Sequence, residues 1–421
     1  MEENEIKQLV VKKVSAAKIA SQKLGLMNFK QKNAVLLAIA AGLEKNIKEI
    51  MFHNDIDVES AKDAGLDDAL IDRLKLTEKR IADMIEGVRS IVKQEDPIGE
   101  IIENRTLSDN LNIQKVRVPL GTIAMIYESR PNVTVDASAL CIKSGNAIVL
   151  RGGSEAINSN KILANIISSS GESAGMPAGA VTLIDIVDRN AISELIKLDK
   201  LIDLLIPRGG EKMIDFIKQH STIPILSHGS GLCHTYIDKE ADIDMAIKVS
   251  VNAKCQRPGV CNATETVLVH RDIAGKILPA LCKKYEMLGV EIRGCKLTKE
   301  IVGNVIDATE EDWMTEYHSL IVSIKVVNSL EEAIMHINRY GSAHSDSIIT
   351  NNKERAEKFL REVNSAAVFH NVSTRLHDGS VFGLGAEIGI STNKLHARGV
   401  MGARELTTTK FIVRGNGNIR K

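Results

Sequence analysis

The sequence predicts an α/β protein with two open, mainly parallel sheets, helices on both faces of each, and a helical layer at the N-terminus. Two observations carry this prediction. From Gly121 onward, short buried apolar runs alternate with longer segments of helical period, the order expected of βαβ units. Residues 1–95 have a helical period, so this region is expected to be mostly helix. At about 150 residues per domain, 421 residues of which 44% are hydrophobic suffice for two or three domains with their own cores. Lys plus Arg (54) equals Asp plus Glu (54), so the chain has no electrostatic grip on nucleic acid or an anionic membrane. Aromatic residues at 3%, with one Trp, are too few for a base-stacking platform. The longest apolar stretch, 34–43, is half the length of about 20 residues that a membrane span requires, and the acidic start MEENE is unlike a signal peptide. A cytosolic location is the expectation.

Taken in order, the N-terminal layer closes with a helix on which Ile81, Met84, Ile85, Val88, Ile91 and Val92 recur at three- and four-residue spacing, with Thr77 placed to cap it. Asp96-Pro97 ends the helix. Residues 98–117 alternate β-branched and charged types about a polar turn at Ser108, Asp109 and Asn110, which predicts a protruding hairpin. The runs TIAMIY, NAIVLRGG, VTLIDI and LIDLLIPRGG are predicted strands, with helices after Pro131 and from Ser154, Arg189 and Glu211. A second unit of similar make begins near Thr235, with a helix around 243–252, the strand TETVLVH, a helix from Ala274, the strand SLIVSIKVV, and helices over 330–339 and 353–363. The β-branched tail ELTTTKFIVRG has no local partner, so it is expected to pair with the hairpin near residue 110, within or between subunits.

Two strand ends carry Arg-Gly-Gly just before a helix: Arg151-Gly152-Gly153 and Arg208-Gly209-Gly210. Backbone N–H groups and a cation meet there, which suits a nucleotide phosphate; a tight strand-to-helix turn would use the same residues. The tract 373–399 is glycine-rich, lacks a clear period and carries Phe, Leu and Ile, so it is expected to be an ordered substrate loop.

The six cysteines include no CxxC pair, which argues against a zinc site or a disulfide framework and points to a lone thiol. The segment 252–266, NAKCQRPGVCNATET, reads as a polar loop with two thiols and the cations Lys254 and Arg257, a setting that favours thiolate. Spacing leaves Cys255 and Cys261 both open, although the Pro258-Gly259 approach favours Cys261. Cys141 and Cys282 read as buried apolar residues. No histidine has metal-ligand spacing, so structural roles are expected for His228, His234, His370, His377 and His396. HGSG around Ser230 is not a nucleophile elbow.

NAKCQRPGVCNATET, EDWMTEYHSLIVSIKVV, YGSAHSD and FGLGAEIGISTNKLHARG together resemble the gamma-glutamyl phosphate reductases, a branch of the aldehyde dehydrogenase superfamily, and the resemblance spans essentially the whole chain. It implies an aldehyde-dehydrogenase-like fold: a Rossmann-type cofactor domain (1–97 and 118–229), an α/β catalytic domain (230–397) and a small β oligomerisation flap (98–117 and 398–421). It implies NADPH-dependent reduction of L-glutamate 5-phosphate to the 5-semialdehyde and phosphate, in proline biosynthesis, followed by spontaneous cyclisation to 1-pyrroline-5-carboxylate. By this resemblance Cys261 is the nucleophile and Cys255, usually threonine in the family, is incidental. Arg151 and Ser154 match the position of the adenosine ribose and 2′-phosphate, Arg208, Gly209 and Gly210 the second phosphate turn, and Glu316 the residue that holds the nicotinamide ribose. Asn371, Ser373, Thr374 and Arg375 match the substrate loop, with Arg375 facing the α-carboxylate. Ser227 stands where hydrolytic relatives carry a general-base glutamate, which disfavours the alternative of a water-using NAD(P)-dependent aldehyde dehydrogenase. Ser129 replaces the amide asparagine of those relatives. A homo-oligomer, dimer or tetramer, is implied, and the ready cyclisation of acyl phosphates of glutamate makes glutamate 5-kinase a candidate partner. No metal is implied.

Overall fold

A computed structural model describes residues 2–227 and 230–420; His228 and Gly229, and with them the reading of His228, lie outside the described residues. The chain forms two compact units, Met1–Ser227 with Leu384–Gly389 and Met401–Lys421, and His228–Gly383 with Ile390–Val400. The hairpin and the tail, set apart by the sequence reading, are grouped with the first unit, as is 384–389 from within the predicted substrate loop.

The first unit opens with α1 (Glu3–Leu24), α2 (Phe29–Lys45), α3 (Ile47–Asp63), α4 (Asp68–Leu74) and α5 (Glu78–Lys93). Three of these starts are set by side chains that satisfy otherwise unpaired backbone N–H groups: Asn28 makes a capping box with Gln31 at α2, and Asp67 and Thr77 cap α4 and α5. On α5 the predicted stripe is buried at Ile81, Met84, Ile85, Val88 and Ile91. The hairpin is β1 (Ile101–Thr106) and β2 (Asn112–Pro119), with Asn110 at φ 59° in its turn. The tail strand Thr407–Arg414 lies antiparallel to β2, so its partner is the hairpin of its own chain.

The sheet of this unit follows: β3 (Thr122–Tyr127), α6 (Asn132–Lys143), β4 (Ala147–Arg151), α7 (Ile157–Ser173), β5 (Val181–Leu183), α8 (Asn190–Leu195), β6 (Leu204–Arg208) and α9 (Glu211–His220). All pairings are parallel in the order β5-β4-β3-β6. β3 and β4 are buried along their whole length because helices cover both faces, and α1 places Ile6, Val10, Val14 and Ala17 in one core with Ala124, Val149 and Leu205. The strand order reverses at β3, so the carboxyl ends of β3, β4 and β6 meet at the switch point, where such sheets bind ligands.

The second unit contains β7 (Cys233–Ile237), α10 (Ile243–Cys255), β8 (Thr264–His270), α11 (Arg271–Met287), β9 (Glu291–Gly294), α12 (Lys296–Val302), β10 (Ile306–Asp307), β11 (Ile321–Val327), α13 (Leu330–Tyr340), β12 (Ser345–Ile349), α14 (Lys353–Glu362) and β13 (Ala367–His370). The seven strands of its main sheet are all parallel, in the order β10-β9-β11-β8-β7-β12-β13, and a short antiparallel pair, Ile390–Ser391 with Gly399–Val400, lies outside it. The sequence reading found β8 and β11 but not β7 or β12, whose His, Asp and Ser residues hide the strand pattern. These polar groups tolerate burial because they bond one another: Asp346 accepts from the His234 backbone N–H at 2.8 Å and meets its ring Nδ1 at 3.0 Å. One expectation is corrected outright. The polar loop read over 252–266 starts only after Cys255, because α10, capped by Asp242, continues through Lys254 and Cys255. No helix among the described residues is long and apolar enough to cross a membrane.

Candidate active site

At the switch point of the first unit, the two Arg-Gly-Gly turns differ. Arg151 is 7% exposed, and its guanidinium donates to the carbonyls of Gly152 (2.8 Å) and Val187 (3.0 Å), so it braces the turn from inside. Ser154, exposed at the start of a 3-10 turn (Ser154–Ala156), is the polar side chain this turn presents outward. Beside it Glu155 accepts from the Ser129 backbone N–H (2.8 Å) and hydroxyl (2.6 Å); burial alone would raise its pKa, but these bonds and Arg151 hold it below the ordinary value. Ser129 is therefore committed to Glu155.

At the other turn the Gly210 N–H, first in line before α9, donates to Glu128 Oε2 at 2.9 Å, and a Cβ on Gly209 would overlap the same carboxylate. The turn thus already holds an anionic oxygen, in the place the dipole of α9 favours, which is the fit a dinucleotide phosphate requires. Arg208 lies against Gly389, whose φ of 147° and lack of a Cβ leave room for the guanidinium. Ser227 is buried, at 2% exposure.

In the second unit the predicted residues gather at the amino ends of β7, β8 and β12, the opposite edge from the one the first sheet uses. Cys261 is half-buried on the loop between α10 and β8. Its neighbour Asn262 is tied down from the 371–377 segment. Arg375 donates to Asn262 Oδ1, Thr374 Oγ1 donates to the Asn262 carbonyl (2.7 Å), and Asn262 Nδ2 donates to the His377 carbonyl (3.0 Å). Arg375 Nε also donates to Gln256 Oε1 at 3.0 Å, so one guanidinium bridges both ends of the cysteine loop. Ser373 caps the short turn by accepting from the Arg375 N–H (3.4 Å).

Asn371 does not join this cluster. Its side chain accepts from the Thr350 N–H (2.9 Å) and donates to the Thr350 carbonyl (3.0 Å), beyond the carboxyl end of β12, while its own φ is 58°. It shapes the turn that sends Ser373, Thr374 and Arg375 back along the sheet.

Lys254 is corrected as well. Rather than an exposed cation of the loop, it is fully buried and paired with Glu265 at 2.5 Å. Burial raises the Cys255 thiol pKa, with Lys254 opposing, so Cys255 is less ionised than an ordinary cysteine. Cys233, raised far above the ordinary value by its own burial, remains a thiol and donates to the Cys261 carbonyl at 3.2 Å. Behind it His344 Nδ1, Ser345 Oγ and His377 Nδ1 follow at 2.8 and 2.7 Å, with burial lowering the His377 pKa to about 4. Among the described residues no His, Cys, Asp and Glu cluster has the makings of a metal site.

Sequence reasoning missed Gly231. A Cβ there would overlap the Cys261 backbone and the Glu316 carboxylate together, so these two groups are neighbours around a position that only glycine can fill. Its φ is not in the left-handed region, so close approach is the reason for glycine. The only available sequence signal was a glycine before the mixed run LCHTYI, which is found at many ordinary turns. Glu265 was legible as a charged residue in an otherwise buried strand, but its partner was not.

The model of the aldehyde dehydrogenase family matches residues 4–320. The chain is 52% identical over 417 residues, 99% of its length and 100% of the relative's, to a gamma-glutamyl phosphate reductase of Thermodesulfovibrio yellowstonii. It is 50% identical over 417 residues, with the same coverage, to that of Clostridium acetobutylicum. The solved gamma-glutamyl phosphate reductase of Thermotoga maritima superposes with a TM-score of 0.96 at 46% identity, covering 98% of this chain and 100% of that one. The chain belongs to the aldehyde dehydrogenase family, in its gamma-glutamyl phosphate reductase group.

Proposed function

We propose that the protein reduces L-glutamate 5-phosphate to L-glutamate 5-semialdehyde and phosphate, with Cys261 as nucleophile and NADPH as reductant. What supports this most is the setting of Cys261: a half-buried thiol on a loop bridged from Gln256 to Asn262 by Arg375. The Cys261 thiolate attacks the acyl carbon, the bond from that carbon to the phosphate oxygen breaks, and phosphate leaves with the electron pair, giving a thioester. Arg375 and the backbone N–H of Cys261 are the donors assigned to the substrate carboxylate and to the oxyanion. The reduced nicotinamide, when bound, supplies the hydride. Cys261 then holds a thiohemiacetal, whose carbon–sulfur bond breaks to return the thiolate and free the aldehyde. Ser227, lacking a carboxylate, does not activate water against the thioester.

Arg208, Gly209, Gly210 and Ser154 are the residues proposed to hold the dinucleotide, Arg151 to brace the first turn, and Glu316 to hold the ribose next to the nicotinamide. Exposed Ser154 leaves room for a 2′-phosphate. Ser154→Glu is expected to raise the KM for NADP+ by about tenfold or more, through like-charge repulsion, while changing that for NAD+ much less. Initial rates with the two cofactors check this, and an unchanged ratio removes Ser154 from the cofactor site. Phe411 and Val413, two positions apart and so on one face of the tail strand, are 65% and 54% exposed, and this apolar face supports an oligomer of this chain. We place the enzyme in the cytosol, receiving its unstable substrate from glutamate 5-kinase.

The reaction is tested in reverse, following NADPH absorbance with 1-pyrroline-5-carboxylate and NADP+, with and without inorganic phosphate. Signal that requires phosphate is expected. Signal without phosphate would make the protein a hydrolytic dehydrogenase, and no signal under either condition would remove the proposed substrate.

A further inference from the structure

Lys254 and Glu265 stand at the two ends of the segment that carries Cys261, one in the last turn of α10 and the other near the start of β8. Their charged atoms are 2.5 Å apart, and the side chains are 0% and 1% exposed. Desolvating two charges seldom leaves such a pair more stabilising than two apolar side chains of similar volume, so stability alone is a poor explanation for it.

Its surroundings suggest a better one. The Lys254 ammonium lies 5.9 Å from the centre of the Tyr317 ring, and the Arg293 guanidinium lies 5.1 Å from it. The Tyr317 hydroxyl donates to Asp312 (2.8 Å) and lies 2.7 Å from Ser323 Oγ, and Asp312 is paired with Arg293 at 2.6 Å. The Glu265 carboxylate, sealed from water, is also stabilised by the Tyr317 backbone N–H, and it feels the charge of Glu316, the neighbour of Tyr317. A continuous polar seam therefore runs from both ends of the cysteine loop to the segment bearing Glu316. Burial foremost, and then the Glu316 charge, push the Glu265 carboxyl up to about 7 against the pull of Lys254.

We propose that Lys254 and Glu265 are positioning residues, a charged clasp that closes the Cys261 loop and holds the Glu316–Tyr317 segment in register with it. An ion pair is directional where an apolar contact is not, so it specifies one spacing between thiol and carboxylate. This rests on the reading of Cys261 as nucleophile and Glu316 as cofactor residue.

The test compares Glu265→Gln with the double variant Lys254→Met/Glu265→Leu, which replaces the pair by apolar side chains. Melting temperature, the site-resolved rate of Cys261 alkylation by iodoacetamide, and kcat and KM in the reverse reaction are measured. Glu265→Gln is expected to lower the melting temperature and the double variant to recover most of it. In both, kcat should fall about 10²-fold with KM within about 3-fold, because a displacement near 1 Å has that effect on the chemical step, and the alkylation rate should change about 5-fold or more. If activity and alkylation return with stability in the double variant, the pair is structural only and the proposal fails; it fails also if neither variant folds. Wild-type protein that is inactive with phosphate would instead overturn the proposed reaction, while the alkylation contrast still reports on the clasp.

Discussion

Cys261→Ser is expected to lower the phosphate-dependent reverse rate by at least about 10³-fold while leaving the fold intact. A cysteine with a pKa near 8.5 is about 3% thiolate at neutral pH, whereas a serine hydroxyl is ionised to a negligible extent, so the nucleophile is lost rather than weakened. Its backbone carbonyl, which accepts from Cys233, is unchanged by the substitution. Melting should therefore shift by no more than about 0.5 kcal/mol in stability. Cys255→Ser is the control. That thiol lies in the last turn of α10 and is held protonated by burial, so its variant should retain near-wild-type rate. A Cys261→Ser protein with more than about 1% of the wild-type rate would sink the nucleophile assignment.

Gly231→Ala is expected to cost about 10²-fold in kcat, and its cause is steric alone. The added methyl overlaps the Cys261 carbonyl and Cα and the Glu316 carboxylate, and two of those three atoms belong to backbone that cannot swing aside. The accommodation must come from the loop itself, and it moves the thiol. Overpacking of this kind costs about 1–3 kcal/mol, so the variant should fold with a measurably lower melting temperature. Wild-type kcat in a folded variant would show that the Cys261 loop yields without moving the thiol.

The alternating pattern after Gly121 was readable because a parallel sheet covered on both faces demands runs of apolar residues, and β3, β4 and β8 have them. Thr77 and the stripe on α5 were readable for an equally local reason: a cap and a helical period involve residues within a few positions of each other. β7 and β12 escaped because their polar residues pay for burial through partners distant in sequence, as His234 and Asp346 show. Lys254 was misread for the same reason, since a charged residue next to a loop looks solvated until Glu265, eleven positions on, is seen against it.

Among the proposed site residues, Cys261, Arg375 and the two Arg-Gly-Gly turns stand out in the chain because reactive or unusual residue types advertise themselves. Composition and local pattern thus suffice for the class of fold, the helix boundaries and the short set of groups able to do chemistry, all of which depend on neighbours along the chain. Folding alone decides that Asn371 turns away to Thr350, that Arg375 spans the cysteine loop, and that Gly231 is the space between thiol backbone and carboxylate. Those are contacts between segments far apart in sequence, fixed by close packing and by the need to satisfy every buried polar group, and neither requirement leaves a local signature.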